Sequence, residues 1–182
     1  MIQISYWAMV LAISCIWLVL RLCVWIKQRH VHWHRELQLL LVYICIIVVV
    51  RFTFCPFGKV DGKTLPLVFD PALAFPPRIN LQPFVHITDY PTRINILMNF
   101  FGNAAMFLPL GIVWPIVFKE LSSHTKVIAA GIGCSLCIEI LQLPFYDRVS
   151  DIDDLILNSL GFLIGYSILL LVRKLSRMPS SA

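Results

Sequence analysis

The chain has 182 residues, 59% of them hydrophobic and 14% charged, with a mean hydropathy of +0.82; a soluble domain carries about 25% charged residues, and this composition excludes one. Its 15 Lys and Arg against 10 Asp and Glu leave a formal charge of +5, but no basic stripe runs along a soluble face, which argues against a nucleic-acid partner. The length is that of one domain.

A helix needs about 20 mostly apolar residues to cross the hydrocarbon core of a bilayer. Five stretches meet that requirement: Ile4 to Ile26, Leu37 to Phe57, Ile96 to Phe118, Val127 to Phe145 and Leu155 to Val172. Each is apolar around its circumference apart from a few polar residues, whereas a surface helix carries a single apolar stripe. The first stretch reads as an anchor rather than a secretory signal, because no charge precedes it, its apolar core is long and no small-residue cleavage site follows. The expected fold is therefore an all-α membrane protein, a bundle of five transmembrane helices.

Lys and Arg near span ends favour the cytoplasm. Arg21, Lys27, Arg29 and Arg35 flank the first turn, Lys119 and Lys126 the third, and Arg173, Lys174 and Arg177 follow the last span. Arg51, Lys59, Lys63, Arg78, Arg93 and Arg148 are spread over the other side together with most of the acids. This distribution predicts an external N-terminus and a cytoplasmic C-terminus.

Between spans two and three the chain carries Pro66, Pro71, Pro76, Pro77, Pro83 and Pro91, which bar a regular helix. Leu67, Phe69, Phe75, Leu81, Phe84 and Tyr90 make the same loop too apolar for a solvated linker. It is expected to lie at the outer interface, with its aromatics at headgroup level.

The polar residues inside the spans carry the functional information. Asn95, Asn99 and Asn103 are spaced four and four, Glu139 and Gln142 three apart, and Asp151, Asp154 and Asn158 three and four. At these spacings each set lies on one helix face. With Arg51 in span two, every span after the first has one polar face. Glu139 sits about six residues from the expected end of span four, roughly 9 Å deep at 1.5 Å per residue, and Arg51 is expected at similar depth.

An ionisable side chain at the bilayer centre costs roughly 2.5 to 3.5 kcal/mol on the insertion scale. Several such groups left unpaired would approach the ~5 to 15 kcal/mol that holds a domain together, so they pair or face water. Two arrangements satisfy this: a dry Arg51–Glu139 bridge with amides as interhelical glue, or a polar cavity open to the outer leaflet.

Read in order, the second half of the chain resembles a known family. The segments that carry the resemblance are Asn80-Leu81-Gln82-Pro83-Phe84, Asn99-Phe100-Phe101-Gly102-Asn103 and Phe107-Leu108-Pro109-Leu110-Gly111 with Pro115. Then come Ser135, Glu139 and Gln142, the run Arg148-Val149-Ser150-Asp151-Ile152-Asp153-Asp154, and Asn158, Gly161 and Gly165. The pattern is similar to the VanZ-like family, named for a bacterial membrane protein linked to resistance to the glycopeptide teicoplanin. The resemblance implies a small multi-pass protein of the bacterial cytoplasmic membrane. It divides the chain into residues 1–50 with helix one and most of helix two, a VanZ-like region over 51–172, and a basic cytoplasmic tail over 173–182.

Other signals have simpler readings. Cys134-Ser135-Leu136-Cys137 has redox or zinc spacing but no second pair, and reads as small packing residues. His30, His32 and His34 alternate in a short loop that reads as solvated or headgroup-facing rather than metal-binding. Asp151, Asp153 and Asp154 either cap span five or hold a divalent cation such as Mg²⁺ or Ca²⁺ that bridges to phosphate. Gly161 and Gly165 form a Gly-x-x-x-Gly for packing within the bundle or for a homo-oligomer. Pro109 and Pro115 are expected to kink span three and free carbonyls near Asn103.

Three functions from different classes follow. The leading one is a non-enzymatic envelope protein whose outer polar pocket engages a lipid-linked cell-wall precursor or an anionic lipid. Arg51, Arg148, Asn99 and Asn103 would contact the ligand, and Gln142, Asp151, Asp154 and Asn158 would complete the pocket. Glu139 would orient Arg51. The alternative is an intramembrane enzyme acting on a lipid head group, with Glu139 or Asp154 as acid-base and the aspartates holding a divalent ion. No Ser, Cys or His nucleophile stands among its residues. A transporter is third, without paired repeat halves.

Overall fold

The computed structural model describes residues 1–54, 59–60, 63–85 and 92–177, with backbone alone at 59–60 and 63–64. Among them, five helices are long and apolar enough to cross a membrane: α1 (Tyr6–Gln28), α2 (Trp33–Phe54), α3 (Arg93–Val117), α4 (His124–Gln142) and α5 (Ile152–Leu175). Their apolar side chains remain largely exposed; α1 has no buried residue, as suits helices whose solvent is lipid.

Local chemistry explains how these ends differ from the expected ones. The Ser5 hydroxyl accepts the Ala8 N–H at 3.2 Å and starts α1, and the Thr92 hydroxyl does the same for Asn95, so α3 begins at Arg93. α4 stops at Gln142 instead of reaching Phe145, because the residue before Pro144 is disfavoured in a helix and Pro144 has no N–H to donate. α5 starts at Ile152 rather than Leu155, with Asp153 and Asp154 in a first turn that favours negative charge. α2 begins at Trp33 and takes in His34, while the His30 and His32 rings meet edge to face at 4.5 Å. The expected end of span two at Phe57 lies outside the described residues, as do Cys55, Asp61, Asp89, Tyr90 and Pro91.

The chain divides into two compact units, Met1–Asn80 with Ile138–Asp151, and Leu81–Cys137 with Ile152–Ala182. In the first, α1 and α2 form an antiparallel hairpin. Ser14 and Tyr43 share a hydrogen bond of 2.6 Å, Arg21 forms an ion pair with Glu36, and the Arg51 guanidinium lies 5.3 Å from the Tyr6 ring centroid.

The proline-rich stretch forms no α-helix, as expected, but it is tied down by very short strands. β1 (Ile2–Ile4) pairs antiparallel with β4 (Leu67–Phe69), and β2 (Lys59–Val60) with β3 (Lys63–Thr64). A 3-10 turn over Pro71–Ala74 follows, capped by Asp70. β5 (Ile79–Asn80) then pairs parallel with β6 (Ser150–Asp151). The Asp70 N–H donates to the Pro144 carbonyl at 2.8 Å, and the Tyr146 N–H to the Val68 carbonyl at 2.9 Å. Phe145 packs against both Phe54 and Phe69. The N-terminal strand, the segment over residues 67–80 and the α4–α5 connection are therefore joined to one another within this unit.

In the second unit α3 and α5 run parallel: Gly161 backs onto Ala104 and, one turn on, Gly165 onto Leu108. Parallel neighbours require α4 to return between them. A Cβ on either glycine would fall 2.0 Å from a carbonyl oxygen of α3, so only glycine permits this approach. The Gly-x-x-x-Gly face is thus filled by a helix of the same chain. α3 passes through Pro109 and Pro115 as one helix of 25 residues. Cys134 and Cys137 are free thiols.

Candidate functional site

Two polar clusters emerge, one in each unit. In the first, Glu139 and Gln142 occupy the last turn of α4 and are 3% and 4% exposed. Glu139 lies three residues from the helix end, about 4.5 Å along the axis and not the 9 Å expected, because α4 ends early at Gln142. Arg51 is likewise in the last turn of α2. Both are near helix ends, where water and headgroups are closest.

Each side chain in this cluster has a definite task. Glu139 Oε2 accepts the Asp151 N–H at 2.9 Å. Asn80 Nδ2 donates to the Asp151 carboxylate at 3.1 Å. Gln142 Nε2 donates to the Thr53 carbonyl at 2.7 Å, satisfying one of the orphan acceptors at the end of α2. Gln142 Oε1 is buried with no hydrogen-bond partner among the described residues. Arg51, Arg148, Glu139 and Asp151 make further interactions within the chain, so none is an isolated charge.

Three participants were not predicted as site residues. Arg78 directs Nη1 to the Tyr146 carbonyl at 2.7 Å and Nη2 to the Phe145 carbonyl, and its own carbonyl accepts the Ser150 N–H at 3.0 Å. One guanidinium thereby clamps the α4–α5 connection. Asn80 was visible in the family-like motif, but its partner Asp151 is too distant in sequence for spacing to suggest it. Thr53 participates through its backbone, which leaves no sequence signal.

In the second unit, Asn103 Nδ2 on α3 donates to the Asp154 carboxylate on α5. Asp153 accepts the Phe84 N–H with both oxygens at 3.0 Å, where Phe84 has a φ of 63°. Asn158 is 1% exposed, and its Oδ1 has no partner among the described residues. Asn99 is half-buried on α3. Arg51, Glu139, Gln142, Arg148 and Asp151 belong to the first unit, and Asn99, Asn103, Asp153, Asp154 and Asn158 to the second.

Of the aspartates expected as candidate cation ligands, Asp151 accepts from Asn80, Asp153 from the Phe84 amide and Asp154 from Asn103, and all three make further interactions within the chain. Among the described residues no three His, Cys, Asp or Glu side chains form a metal-holding group.

Five helices long and apolar enough to cross a bilayer, with Glu139, Gln142 and Asn158 buried among them, define a multi-pass helical membrane protein. The chain belongs to the VanZ/LLP1 family, whose model matches residues 40–173. That match reaches back into α2 and takes in α3, α4 and nearly all of α5. No curated protein and no solved structure matches the chain.

Proposed function

We propose that this protein is a non-enzymatic component of the bacterial cytoplasmic membrane, with its N-terminus outside. Its first-unit polar cluster engages an anionic or lipid-linked component of the envelope, such as a cell-wall precursor. Altered susceptibility to glycopeptides of the teicoplanin type follows if that engagement changes the surface on which the drug finds its target.

The observation that carries this reading is Gln142. A side chain in a membrane helix, 4% exposed and with one acceptor unpartnered among the described residues, carries a desolvation penalty of about 1 to 3 kcal/mol. A ligand hydroxyl or amide would remove that penalty. Arg51 and Arg148 supply positive charge in the same unit, and a guanidinium recognises phosphate or carboxylate through two parallel hydrogen bonds. Glu139, which holds the Asp151 amide, has a positioning task in this reading. The side of the membrane follows from the basic residues that flank the first and third turns and the last helix.

The test is deletion of the gene followed by complementation. Teicoplanin and lipopeptide susceptibility should change on deletion and return with the wild-type chain. Unchanged susceptibility in every growth condition would overturn the proposal.

A further inference from the structure

The second unit contains a cavity of about 570 Å³ where the α3–α4 turn meets the C-terminal end of α5. We infer that this cavity binds a phosphate group, carried by an anionic phospholipid head group or free in solution. It is separate from the polar clusters above and shares no residue with them.

The charge of its wall is one-sided. Arg173, Lys174 and Arg177 line it from α5 and the turn that follows, and no acidic residue lines it among the described residues. Among the described residues these three have no ion-pair partner. Lys126 extends the basic rim, donating from Nζ to the Ser122 hydroxyl at 3.3 Å.

The start of α4 adds further hydrogen-bonding groups. Ser122, Ser123 and His124 line the cavity at the start of α4. There the Ser123 hydroxyl accepts the Lys126 N–H at 3.3 Å, and the first intrahelical bond runs from Val127 to the Ser123 carbonyl. The N–H groups of His124 and Thr125 therefore precede the helical ladder and add the partial positive charge of a helix N-terminus. His124 Nδ1 shares a hydrogen bond of 2.8 Å with the Tyr166 hydroxyl, which fixes the ring against α5.

Three exposed cations at a helix end would by themselves be the ordinary basic flank of a membrane span. The cavity makes this cluster different, because Ser122, Ser123 and His124 line the same volume of about 570 Å³ as the three cations, which is large enough for a glycerophosphate. Pro115, Leu121 and Leu170 complete the lining, an apolar surface that suits the glycerol and upper acyl carbons of a lipid. Basic pockets between transmembrane helices recognise lipid head groups by this combination.

The test uses the full chain in a neutral detergent, examined by native mass spectrometry with phosphatidylglycerol or phosphatidylcholine added. Wild type should retain phosphatidylglycerol preferentially. Arg173→Gln with Arg177→Gln should lower that retention by about tenfold or more, and the paired Lys substitutions should preserve most of it. Thermal melting checks that the neutral variant is folded. Competition with inorganic phosphate then separates the two sources: displacement assigns the site to free phosphate, and persistence of the lipid assigns it to a head group. Equal retention of the two lipids by wild type, or equal retention of phosphatidylglycerol by wild type and a folded Gln variant, would overturn the inference.

Discussion

Glu139 accepts the backbone N–H of Asp151 at 2.9 Å, so a carboxylate in the last turn of α4 holds the residue that immediately precedes α5. This bond needs an acceptor, not a titrating group. Glu139→Gln keeps an oxygen in place and should lower stability by about 1 kcal/mol, whereas Glu139→Leu should lose about 1.5 to 3 kcal/mol. Melting of the purified chain in detergent distinguishes the two. Equal destabilisation would mean that the negative charge itself is required.

The α3–α5 contact depends on the absence of a Cβ at Gly161. Gly161→Ala places carbon 2.0 Å from the Ala104 carbonyl oxygen and should sharply reduce the yield of folded protein. Gly133→Ala on α4, where nothing lies within 4 Å, should be neutral or stabilising by up to about 1 kcal/mol, the helix-propensity difference. Size-exclusion profiles of the two variants make the comparison.

Arg78 reaches two carbonyls of the α4–α5 connection with one planar group. A lysine ammonium cannot reproduce that fork. Both Arg78→Lys and Arg78→Ala should accelerate proteolysis near Tyr146 and Arg148 while leaving helical circular dichroism unchanged. Unaltered cleavage in Arg78→Ala would show that the clamp contributes nothing to local order.

Asn103 and Asp154 join α3 to α5 through a side-chain hydrogen bond. A double-mutant cycle with Asn103→Leu and Asp154→Leu should give a coupling of about 0.6 to 1.7 kcal/mol, the range for polar pairs between membrane helices. Zero coupling would reduce Asn103 to a bystander on its helix face.

The five spans were legible because hydropathy over about 20 residues is a strong, local signal. Asn95, Asn99 and Asn103 fall within α3 and Glu139 and Gln142 within α4, as their spacing implied, but Asp151 lies in β6 ahead of α5, so it does not share a helix face with Asp154 and Asn158. Helix ends were harder: Pro144 stops α4 and the paired aspartates start α5 early, which moved Glu139 closer to a helix end than hydropathy implied. The strands that bind the proline-rich stretch were invisible, because two or three residues such as Ile79–Asn80 carry no periodicity. Asn80 with Asp151 and Phe84 with Asp153 depend on chain folding over long separations, which no spacing reports.

The central claim is that the first-unit cluster engages an anionic envelope component. Its most direct test is binding of a lipid-linked peptidoglycan precursor, and of an anionic phospholipid beside it, to the full chain in bilayer discs of phosphatidylcholine. Saturable binding of one of them is expected, weakened by about tenfold or more in Arg51→Gln with Arg148→Gln, since each charge-assisted hydrogen bond contributes about 1.5 to 3 kcal/mol. Binding of neither ligand, or binding untouched by those substitutions in a folded variant, would contradict it.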